Sequence, residues 1–238
     1  MCVHVKKLGT SKGYRETQGL FLCDGEKLLS DAVDNGAEIE TVITAIEIQL
    51  ALPKNTRVYY AEINLINSLS PLKNSQGILF TCRIPKDSGD DYFSGTHILM
   101  DGVQDPGNVG TIIRSAYAFG IDSLILAEGT ADPYNPKAIR ASMGAIFSQR
   151  FCAMDLCDIQ KLKHSGKKFL GASNDKKCID IAMVNLNDTI IVLGNEGQGI
   201  SSELLALCDE MVTIRLSSSC DSLNVAVAAS IIMWEAKK

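Results

Sequence analysis

The chain has 238 residues, 46% of them hydrophobic, and carries a formal net charge of −5 at pH 7. A chain of this length suits one large domain or two small ones, and its apolar content is sufficient for hydrophobic cores. No apolar run approaches the roughly 18 residues of a membrane-spanning helix, and the first residues lack the apolar stretch of a secretory signal. We therefore expect a soluble, cytoplasmic protein without membrane contact, with an organelle as the open alternative.

The eight cysteines and three histidines give no sign of a zinc site. The sequence contains no CxxC pair and no regular Cys and His spacing, whereas zinc ligands usually occur in such patterns. We expect reduced, mostly buried thiols and no bound metal.

The charge distribution leaves nucleic-acid binding open. Residues 1–86 hold 10 Lys and Arg against 9 Asp and Glu, and the remaining residues hold 13 against 19. Four cations occur among the first fifteen residues without an acid between them: Lys6, Lys7, Lys12 and Arg15. This short basic segment is typical of a solvated terminus, and RNA phosphate contact is the functional alternative that we carry forward.

The first half of the chain alternates strand-like and helical patterns. Strands are predicted at residues 19–23, 38–44, 57–61 and 76–82, and helices near residues 25–35, 45–51 and 62–69. This order predicts a small α/β domain over residues 1–86. Apolar periodicity then stops where Pro, Gly, Ser and Asp accumulate, and we place a linker at residues 87–95.

The second half, residues 96–238, alternates more clearly. Strands are predicted at residues 96–103, 122–128, 167–173, 188–195 and 210–216, with helical runs between them. Continuous apolar strands joined by helices indicate a parallel sheet buried on both faces. In such a sheet the ligand crevice lies at the carboxyl ends of the strands.

Three polar motifs follow strands of this half and open helices: DPGNVGTIIR, GNEGQG and DSLNV. In the first, the Asp-Pro-Gly turn is expected to place Asn108 at the N-cap of a helix. Arg114 lies about one and a half turns later and off the apolar face, so it is either a solvated helix residue or a functional one. In the third, Asp221 or Ser222 is a candidate N-cap of the last helix.

The glycines of the second motif allow backbone N–H groups to approach a ligand closely. Gly194, Gly197 and Gly199 are spaced GxxGxG, which differs from the GxGxxG pattern of dinucleotide-binding folds. Too little chain follows to build the second half of such a fold. These features disfavour a nicotinamide-dependent dehydrogenase.

Taken together, the three motifs resemble those of the SpoU/TrmH family of RNA ribose 2′-O-methyltransferases, in the SPOUT superfamily. Asn108, Gly110 and Arg114 match NxGxxxR, Glu196 falls on the acidic position of the glycine-rich motif, and residues 222–225 match SLNV. The chain departs from the family at Arg215, Leu216 and the serines 217–219, where Ile-Pro-Met and a glycine are usual. Residues 1–86 resemble the L30e-like substrate-binding domain of many ribosomal RNA methyltransferases.

The resemblance implies an α/β fold of two domains, an N-terminal L30e-like domain and a C-terminal SPOUT domain with a trefoil knot. It also implies S-adenosylmethionine as cofactor and a homodimer whose catalytic arginine reaches a pocket completed at the interface. The catalytic residues implied are Asn108, Arg114, Glu196, Ser222 and Asn224. The cofactor-binding residues implied are Leu193, Gly194, Asn195, Gly197, Ile214, Leu216 and Leu223.

The chemistry limits the role of the arginine. A ribose 2′-OH is a poor nucleophile and needs orientation and partial deprotonation. A guanidinium stays protonated at neutral pH, so we expect Arg114 to clamp the phosphate beside the target ribose, and the proton acceptor is left open. Ser222 and Asn224 can hydrogen-bond the ribose, Arg114 or the cofactor.

The sequence therefore predicts methyl transfer to a ribose 2′-OH in structured RNA. Ribosomal RNA is favoured because the transfer RNA enzymes of this family usually carry short helical extensions instead of an L30e-like domain. A transfer RNA ribose methyltransferase and a catalytically silent RNA-binding SPOUT protein remain as alternatives.

Overall fold

A computed structural model describes residues 1–72, 75–85, 94–217 and 221–238. The chain forms two compact units, each with its own sheet. The first comprises Met1–Lys86 and Asp132–Ser148, and the second comprises Asp87–Ala131 and Gln149–Lys238. Of the predicted linker, only residues 94 and 95 fall within the described residues.

The first unit is built on a four-stranded sheet in the order β1-β4-β2-β3. Strand β4 runs antiparallel to β1 and β2, and β3 is parallel to β2. Its core includes Leu8, Leu22, Ile66 and Leu79. In chain order its elements are α1 (Cys2–Thr10), α2 (Lys12–Gln18), β1 (Leu20–Asp24), α3 (Glu26–Asp34), β2 (Ile39–Thr44), β3 (Arg57–Tyr60), α4 (Ile63–Leu69) and β4 (Ile78–Arg83).

The four predicted strands and two of the three predicted helices of this half are confirmed. The helix predicted at residues 45–51 is wrong. The Thr44 hydroxyl donates to the Ile46 carbonyl and accepts from the Ile46 N–H. This local turn competes with helical hydrogen bonding, and Pro53 follows shortly after. Conversely, the segment expected to be a basic terminal arm forms α1 and α2, which bury Val5 and Leu8.

The remaining elements are β5 (His97–Met100), α5 (Pro106–Phe119), β6 (Ser123–Leu126), α6 (Pro136–Ser142), β7 (Phe151–Ala153), α7 (Leu156–His164), β8 (Lys168–Ala172), β9 (Ile179–Asp180), β10 (Thr189–Leu193), α8 (Ser202–Leu205), β11 (Glu210–Thr213) and α9 (Val225–Ala236). All except α6 belong to the second unit. All five predicted strands of this half are present. The sequence did not predict β7 and β9, which have only three and two residues.

The second unit contains a seven-stranded sheet in the order β7-β6-β5-β10-β8-β11-β9. Every neighbouring pair is parallel. The central strands β5, β6 and β10 are fully buried along their length, as expected of a parallel sheet covered on both faces. The trefoil knot stays a prediction.

Residues 132–148, predicted within the second domain, pack with the first unit instead. The Phe21 ring lies 4.7 Å from the Tyr134 ring and 6.1 Å from the Phe147 ring, measured between centroids. The Ser148 hydroxyl donates to the side chain of Asn35. These contacts join residues more than one hundred positions apart, so local periodicity cannot reveal them. Among the described residues, no helix is both long and apolar enough to cross a membrane.

Candidate functional site

The three polar motifs lie at one edge of the seven-stranded sheet. Strands β5 and β10 are adjacent and parallel, with Met100 paired with Leu193. Their carboxyl ends therefore lead side by side into the first and second motifs. The third motif follows β11, which is parallel to the neighbouring strand β8. This edge is the place where open α/β sheets hold ligands.

The first motif begins α5, and its N-cap is Asp105. One Asp105 carboxylate oxygen accepts from the N–H groups of Gly107 at 2.7 Å and Asn108 at 3.1 Å. Pro106, at the first helical position, has no N–H to satisfy. The prediction that Asn108 is the N-cap is wrong, because the acid three residues earlier takes that role. The Asn108 side chain is consequently available for other contacts.

The second motif forms a closed loop at the end of β10. Asn195 and Gly199 exchange two backbone hydrogen bonds of 2.9 Å. The Asn195 side-chain oxygen accepts from the N–H groups of Gly197 and Gln198, and its NH₂ group donates to the Gly102 carbonyl at 2.8 Å. The loop is tight, since a Cβ at Gly194 would lie 2.2 Å from the carbonyl carbon of Gly199. By contrast, a Cβ at Gly197 would meet only the Asn195 side chain, at 3.5 Å.

The third motif begins α9, and its N-cap is Asn224 rather than the predicted Asp221 or Ser222. The Asn224 side-chain oxygen accepts from the N–H groups of Ala226 and Val227. Its NH₂ group donates to the Asn108 side-chain oxygen at 3.1 Å. One amide thus starts the helix and contacts the first motif.

Hydrogen bonds connect all three motifs through Asn108. Its NH₂ group donates to a Glu196 carboxylate oxygen at 2.7 Å, while its oxygen accepts from Asn224. A carboxylate can only accept, and a backbone N–H can only donate, so the orientation of both amides follows from the network. Glu196 and Asn224 are exposed and Asn108 is half-buried, so a ligand can reach the network.

A cavity of about 740 Å³ opens beside this network, and Glu196, Ser222 and Asn224 line it. Its apolar wall includes Ala228 and Ile232 of α9. Further polar side chains come from Ser173 and Asn174, after β8. All of the residues predicted to bind cofactor also line it: Leu193, Gly194, Asn195, Gly197, Ile214, Leu216 and Leu223.

Arg114 is not part of this set. It is exposed on α5 and does not line the cavity. Within the described part of the chain, its side chain makes no hydrogen bond or ion pair. Helix α5 packs against α9, where the hydroxyls of Ser115 and Ser230 lie 2.7 Å apart. This hydrogen bond joins the helix that carries Arg114 to α9.

Arg215, where the chain departs from the usual family sequence, links the cavity wall to the segment that contains Lys176 and Asp180. The Arg215 guanidinium donates to the Lys176 carbonyl at 2.9 Å and lies 3.5 Å from an Asp180 carboxylate oxygen. Its neighbours Ile214 and Leu216 line the cavity. Of the serines 217–219, residues 218 and 219 lie outside the described residues.

The four cations predicted to contact RNA have different environments. Lys6, Lys7 and Lys12 are exposed on α1 and α2. Arg15 is only 3% exposed, and its guanidinium donates to Asp132 and to the Leu8 carbonyl. Assigning Arg15 to RNA binding is therefore wrong, because an intramolecular ion pair already occupies it.

One residue of the site has no counterpart in the sequence prediction. Asp101 follows β5 directly and is 8% exposed. Its carboxylate accepts from the Ser201 N–H at 2.6 Å. An acidic residue immediately after a largely apolar strand is the sequence signal that identifies it.

The Cys208 thiol lies near this residue and has a raised pKa. Burial is the main cause and the Asp209 carboxylate the second, and together they raise the pKa of Cys208 to about 11. This thiol therefore stays protonated at neutral pH.

Comparison with known proteins matches family models to both halves of the chain. The model of the SpoU rRNA Methylase family matches residues 95–234, and the MRM3-like substrate binding domain matches residues 4–79. A 23S rRNA (guanosine(2553)-2′-O)-methyltransferase of Bacillus subtilis is 30% identical over 232 residues, covering 96% of this chain and 92% of that protein. A 23S rRNA (uridine(2479)-2′-O)-methyltransferase of Streptomyces viridochromogenes is 29% identical, covering 95% and 85%.

A solved structure is similar over nearly the whole chain. The AdoMet-bound rRNA methyltransferase from Sinorhizobium meliloti has a TM-score of 0.89 and 26% identity, covering 99% of this chain and 93% of that one. The predicted SPOUT-type α/β fold of two domains is confirmed. The family match spans more than half of the chain, and the chain therefore belongs to the SpoU rRNA Methylase family.

Proposed function

We propose that this protein transfers a methyl group from S-adenosylmethionine to a ribose 2′-OH in ribosomal RNA. The proposal depends chiefly on one observation, the hydrogen-bonded set of Asn108, Glu196 and Asn224 beside the cavity. This set joins the three motifs at the carboxyl ends of the strands. The named 2′-O-methyltransferase relatives, similar over most of their length, support the same reaction.

The cavity suits the proposed cofactor. Apolar surface for an adenine ring comes from Leu193, Ile214, Leu216 and Leu223, while the exposed Glu196 offers a carboxylate to the rest of the molecule. Gly197 leaves the approach to the backbone open, since nothing but the Asn195 side chain would meet a Cβ there. When bound, S-adenosylmethionine supplies an electrophilic methyl group on its sulfonium sulfur.

Arg114 and Ser222 act on the RNA in this proposal. Arg114 clamps the phosphate next to the target ribose, which orients the 2′-OH and stabilises negative charge that develops on it. Ser222 and Asn224 hydrogen-bond the ribose or the cofactor. Asn108 holds the second and third motifs in position through its hydrogen bonds to Glu196 and Asn224.

The proposed homodimer brings Arg114 to the cavity of a second subunit. In a single chain this arginine is exposed and does not line the cavity. The helices α5 and α9 also expose Tyr117 at 54%, Val227 at 47% and Trp234 at 51%. Large apolar side chains on an exposed helix pair are typical of a protein interface.

Ribosomal RNA is the preferred substrate because residues 4–79 match a substrate-binding domain. The two ribosomal RNA methyltransferase relatives align with 96% and 95% of this chain, so their alignments include most of that domain. In this domain, the exposed Lys6, Lys7 and Lys12 are the residues proposed to contact phosphates.

The function is tested by incubating the full-length protein with labelled S-adenosylmethionine and either ribosomal or transfer RNA. We expect label in ribosomal RNA, at a ribose that then resists alkaline cleavage because its 2′-OH is blocked. Label in transfer RNA alone would contradict the substrate. Tight RNA binding without any binding of S-adenosylmethionine would instead support the silent RNA-binding alternative.

The RNA contacts are tested by salt dependence. Replacing Lys6, Lys7 and Lys12 with Gln should weaken binding and make its salt dependence shallower, because fewer counterions are released. Lys161→Gln, at an exposed lysine of the second unit, is the matched control and should leave the slope unchanged. An unchanged slope in the triple variant would remove α1 and α2 from the RNA interface.

A further inference from the structure

Asp101 holds both ends of the glycine-rich loop. Its backbone N–H donates to the Leu193 carbonyl at 2.8 Å, where β10 ends and the loop begins. Its carboxylate accepts from the Ser201 N–H at 2.6 Å, where the loop ends and α8 begins. The residues that flank 194–200 on both sides are therefore hydrogen-bonded to one residue, which directly follows the neighbouring strand β5.

This loop is the part of the site that faces both the cavity and the first motif. Residues 194–200 all line the cavity, and Glu196 accepts the hydrogen bond from Asn108. The adjacent Gly102 carbonyl accepts from the Asn195 side chain. Asp101 and Gly102, which follow β5, thus hold Leu193 before the loop, Asn195 near its start and Ser201 after it.

The environment of Asp101 indicates a specific role for its carboxylate. A buried carboxylate is costly to desolvate unless it is paired or hydrogen-bonded. At 8% exposure Asp101 is buried, and the hydrogen bond that it accepts comes from a backbone N–H. Charge-assisted hydrogen bonds of this kind are shorter and stronger than neutral ones. An acceptor of this strength fixes the position of the Ser201 backbone, and with it the path of the loop.

We propose that Asp101 is a positioning residue for methyl transfer. It holds the glycine-rich loop closed in the free protein, so that the cofactor-facing backbone and Glu196 are in place before a ligand binds. This inference rests on the proposed function for the identity of the ligand, S-adenosylmethionine. It predicts that cofactor binding needs an acceptor for the Ser201 N–H, which a neutral amide oxygen can also supply, although the charge of the carboxylate strengthens the bond.

Two pairs of variants separate these effects. Asp101→Ala removes the acceptor, whereas Asp101→Asn keeps an oxygen that can accept from Ser201. Ser201→Pro removes the N–H donor at a residue whose φ of −59° already suits proline. Ser201→Ala keeps the N–H, and the Ser201 side chain makes no capping hydrogen bond. We expect Asp101→Ala and Ser201→Pro to weaken S-adenosylmethionine binding about 10-fold, and the other two to stay within about 3-fold of wild type.

The double variant Asp101→Ala/Ser201→Pro provides a further check. Because both changes remove the same hydrogen bond, their effects on affinity should not add. A double variant that binds no worse than either single variant supports the proposal. Fully additive losses would overturn it.

Amide hydrogen exchange of the cofactor-free protein measures the loop without any ligand. Asp101→Ala and Ser201→Pro should exchange faster than wild type in residues 194–200 and at unchanged rates in the central strands. Asp122→Ala is the matched control, since its carboxylate accepts from the Thr96 N–H at the opposite end of β5. It should leave both loop exchange and cofactor affinity unchanged.

The proposal fails if Asp101→Ala binds S-adenosylmethionine like wild type, or if Asp101→Asn is as weak as Asp101→Ala. If Asp101→Ala does not fold, the Ser201 pair decides, and equal affinity of Ser201→Pro and Ser201→Ala overturns the proposal. Wild-type protein that binds no S-adenosylmethionine would contradict the proposed function instead. The exchange rates of the free loop would then still report whether Asp101 holds it closed.

Discussion

At the carboxyl end of the seven-stranded sheet, polar side chains surround an open cavity. At the amino end, by contrast, polar side chains are hydrogen-bonded to one another and to the backbone of residues 94–96, which lead into β5. His97, at the start of β5, is 1% exposed. Its Nε2 donates to the Ser94 carbonyl at 2.9 Å, which requires its Nδ1 to accept from the Ser123 hydroxyl. The Lys167 ammonium donates to the Gly95 carbonyl at 2.7 Å and pairs with Asp188.

The two ends of the sheet differ in how many polar groups are left to bind a ligand. At the amino end, the polar groups hold residues 94–96 to the sheet, and the Thr96 N–H is bound by Asp122. At the carboxyl end, Glu196, Ser222 and Asn224 are exposed beside a cavity. Variants at the carboxyl end should therefore affect binding and turnover more than stability, and variants at the amino end should do the reverse.

The largest effect is expected from Arg114→Ala. Loss of a group that stabilises developing charge should reduce methyl transfer by about 10²-fold, while S-adenosylmethionine binding and thermal stability stay near normal because Arg114 is exposed. Single-turnover rates and a cofactor titration measure these quantities. Lys161→Ala, at an exposed cation of α7, is the control. Wild-type turnover in the Arg114 variant would remove this residue from the mechanism.

A smaller effect is expected at Gly197, within the glycine-rich loop. Gly197→Val should weaken S-adenosylmethionine binding about 10-fold, or ~1.4 kcal/mol, because the added side chain occupies space at the cavity. The melting temperature should change little, since a Cβ there meets only the Asn195 side chain at 3.5 Å. Gly194→Ala is the contrasting variant and should lower both quantities, because its Cβ would lie 2.2 Å from backbone. Equal losses in both properties for Gly197→Val would indicate a purely structural turn.

At the amino end, Lys167→Met should lower the melting temperature of the second unit by about 2–4 °C. The Lys167 side chain is 3% exposed, so methionine can retain its packing but not its two hydrogen bonds. Cofactor affinity should not change, because this cluster lies at the opposite edge of the sheet. Trp234, the single tryptophan, belongs to α9 and reports unfolding of this unit by fluorescence. A weaker affinity without loss of stability would break the proposed division between the two ends.

The sequence was most informative where structure repeats locally. Strands β5 and β10 are largely apolar and could be predicted from that pattern, and the second and third strand-to-helix motifs identified many of the residues that line the cavity. Long-range partners were not predictable from such patterns. Arg15 resembled an exposed cation because Asp132, its partner, lies 117 positions away. The N-cap of α5 was misplaced because two polar residues, Asp105 and Asn108, both suit that position.

The division of the chain shows the same limit. Residues 132–148 follow the first motif in sequence but pack with the first unit, where Ile139 and Ile146 are buried. A shortened chain beginning at Ser94 would therefore leave these side chains without their partners. Separating the RNA-binding and methyl-transfer functions requires point substitutions, such as those at Lys6, Lys7 and Lys12, rather than removal of the first half.

The smallest effect is expected from His97 and depends on pH. Burial lowers the pKa of His97, and the nearby Lys167 ammonium lowers it further, against the opposing influence of the Ser94 carbonyl, Asp122 and Asp188. Above the unfolded-state pKa of about 6.5, both states are neutral at this position. As the pH falls below that value, the unfolded chain binds the proton first, so the free energy of unfolding decreases until the folded-state pKa is reached.

His97→Gln should be less stable than wild type at pH 7.5, because its hydrogen bonds are altered, yet should lose less stability between pH 6.5 and pH 5. Urea unfolding followed by Trp234 fluorescence at each pH measures this difference, with cofactor affinity expected to stay constant between the two proteins. Parallel pH profiles for His97→Gln and wild type would show that His97 does not set the acid sensitivity of the amino end.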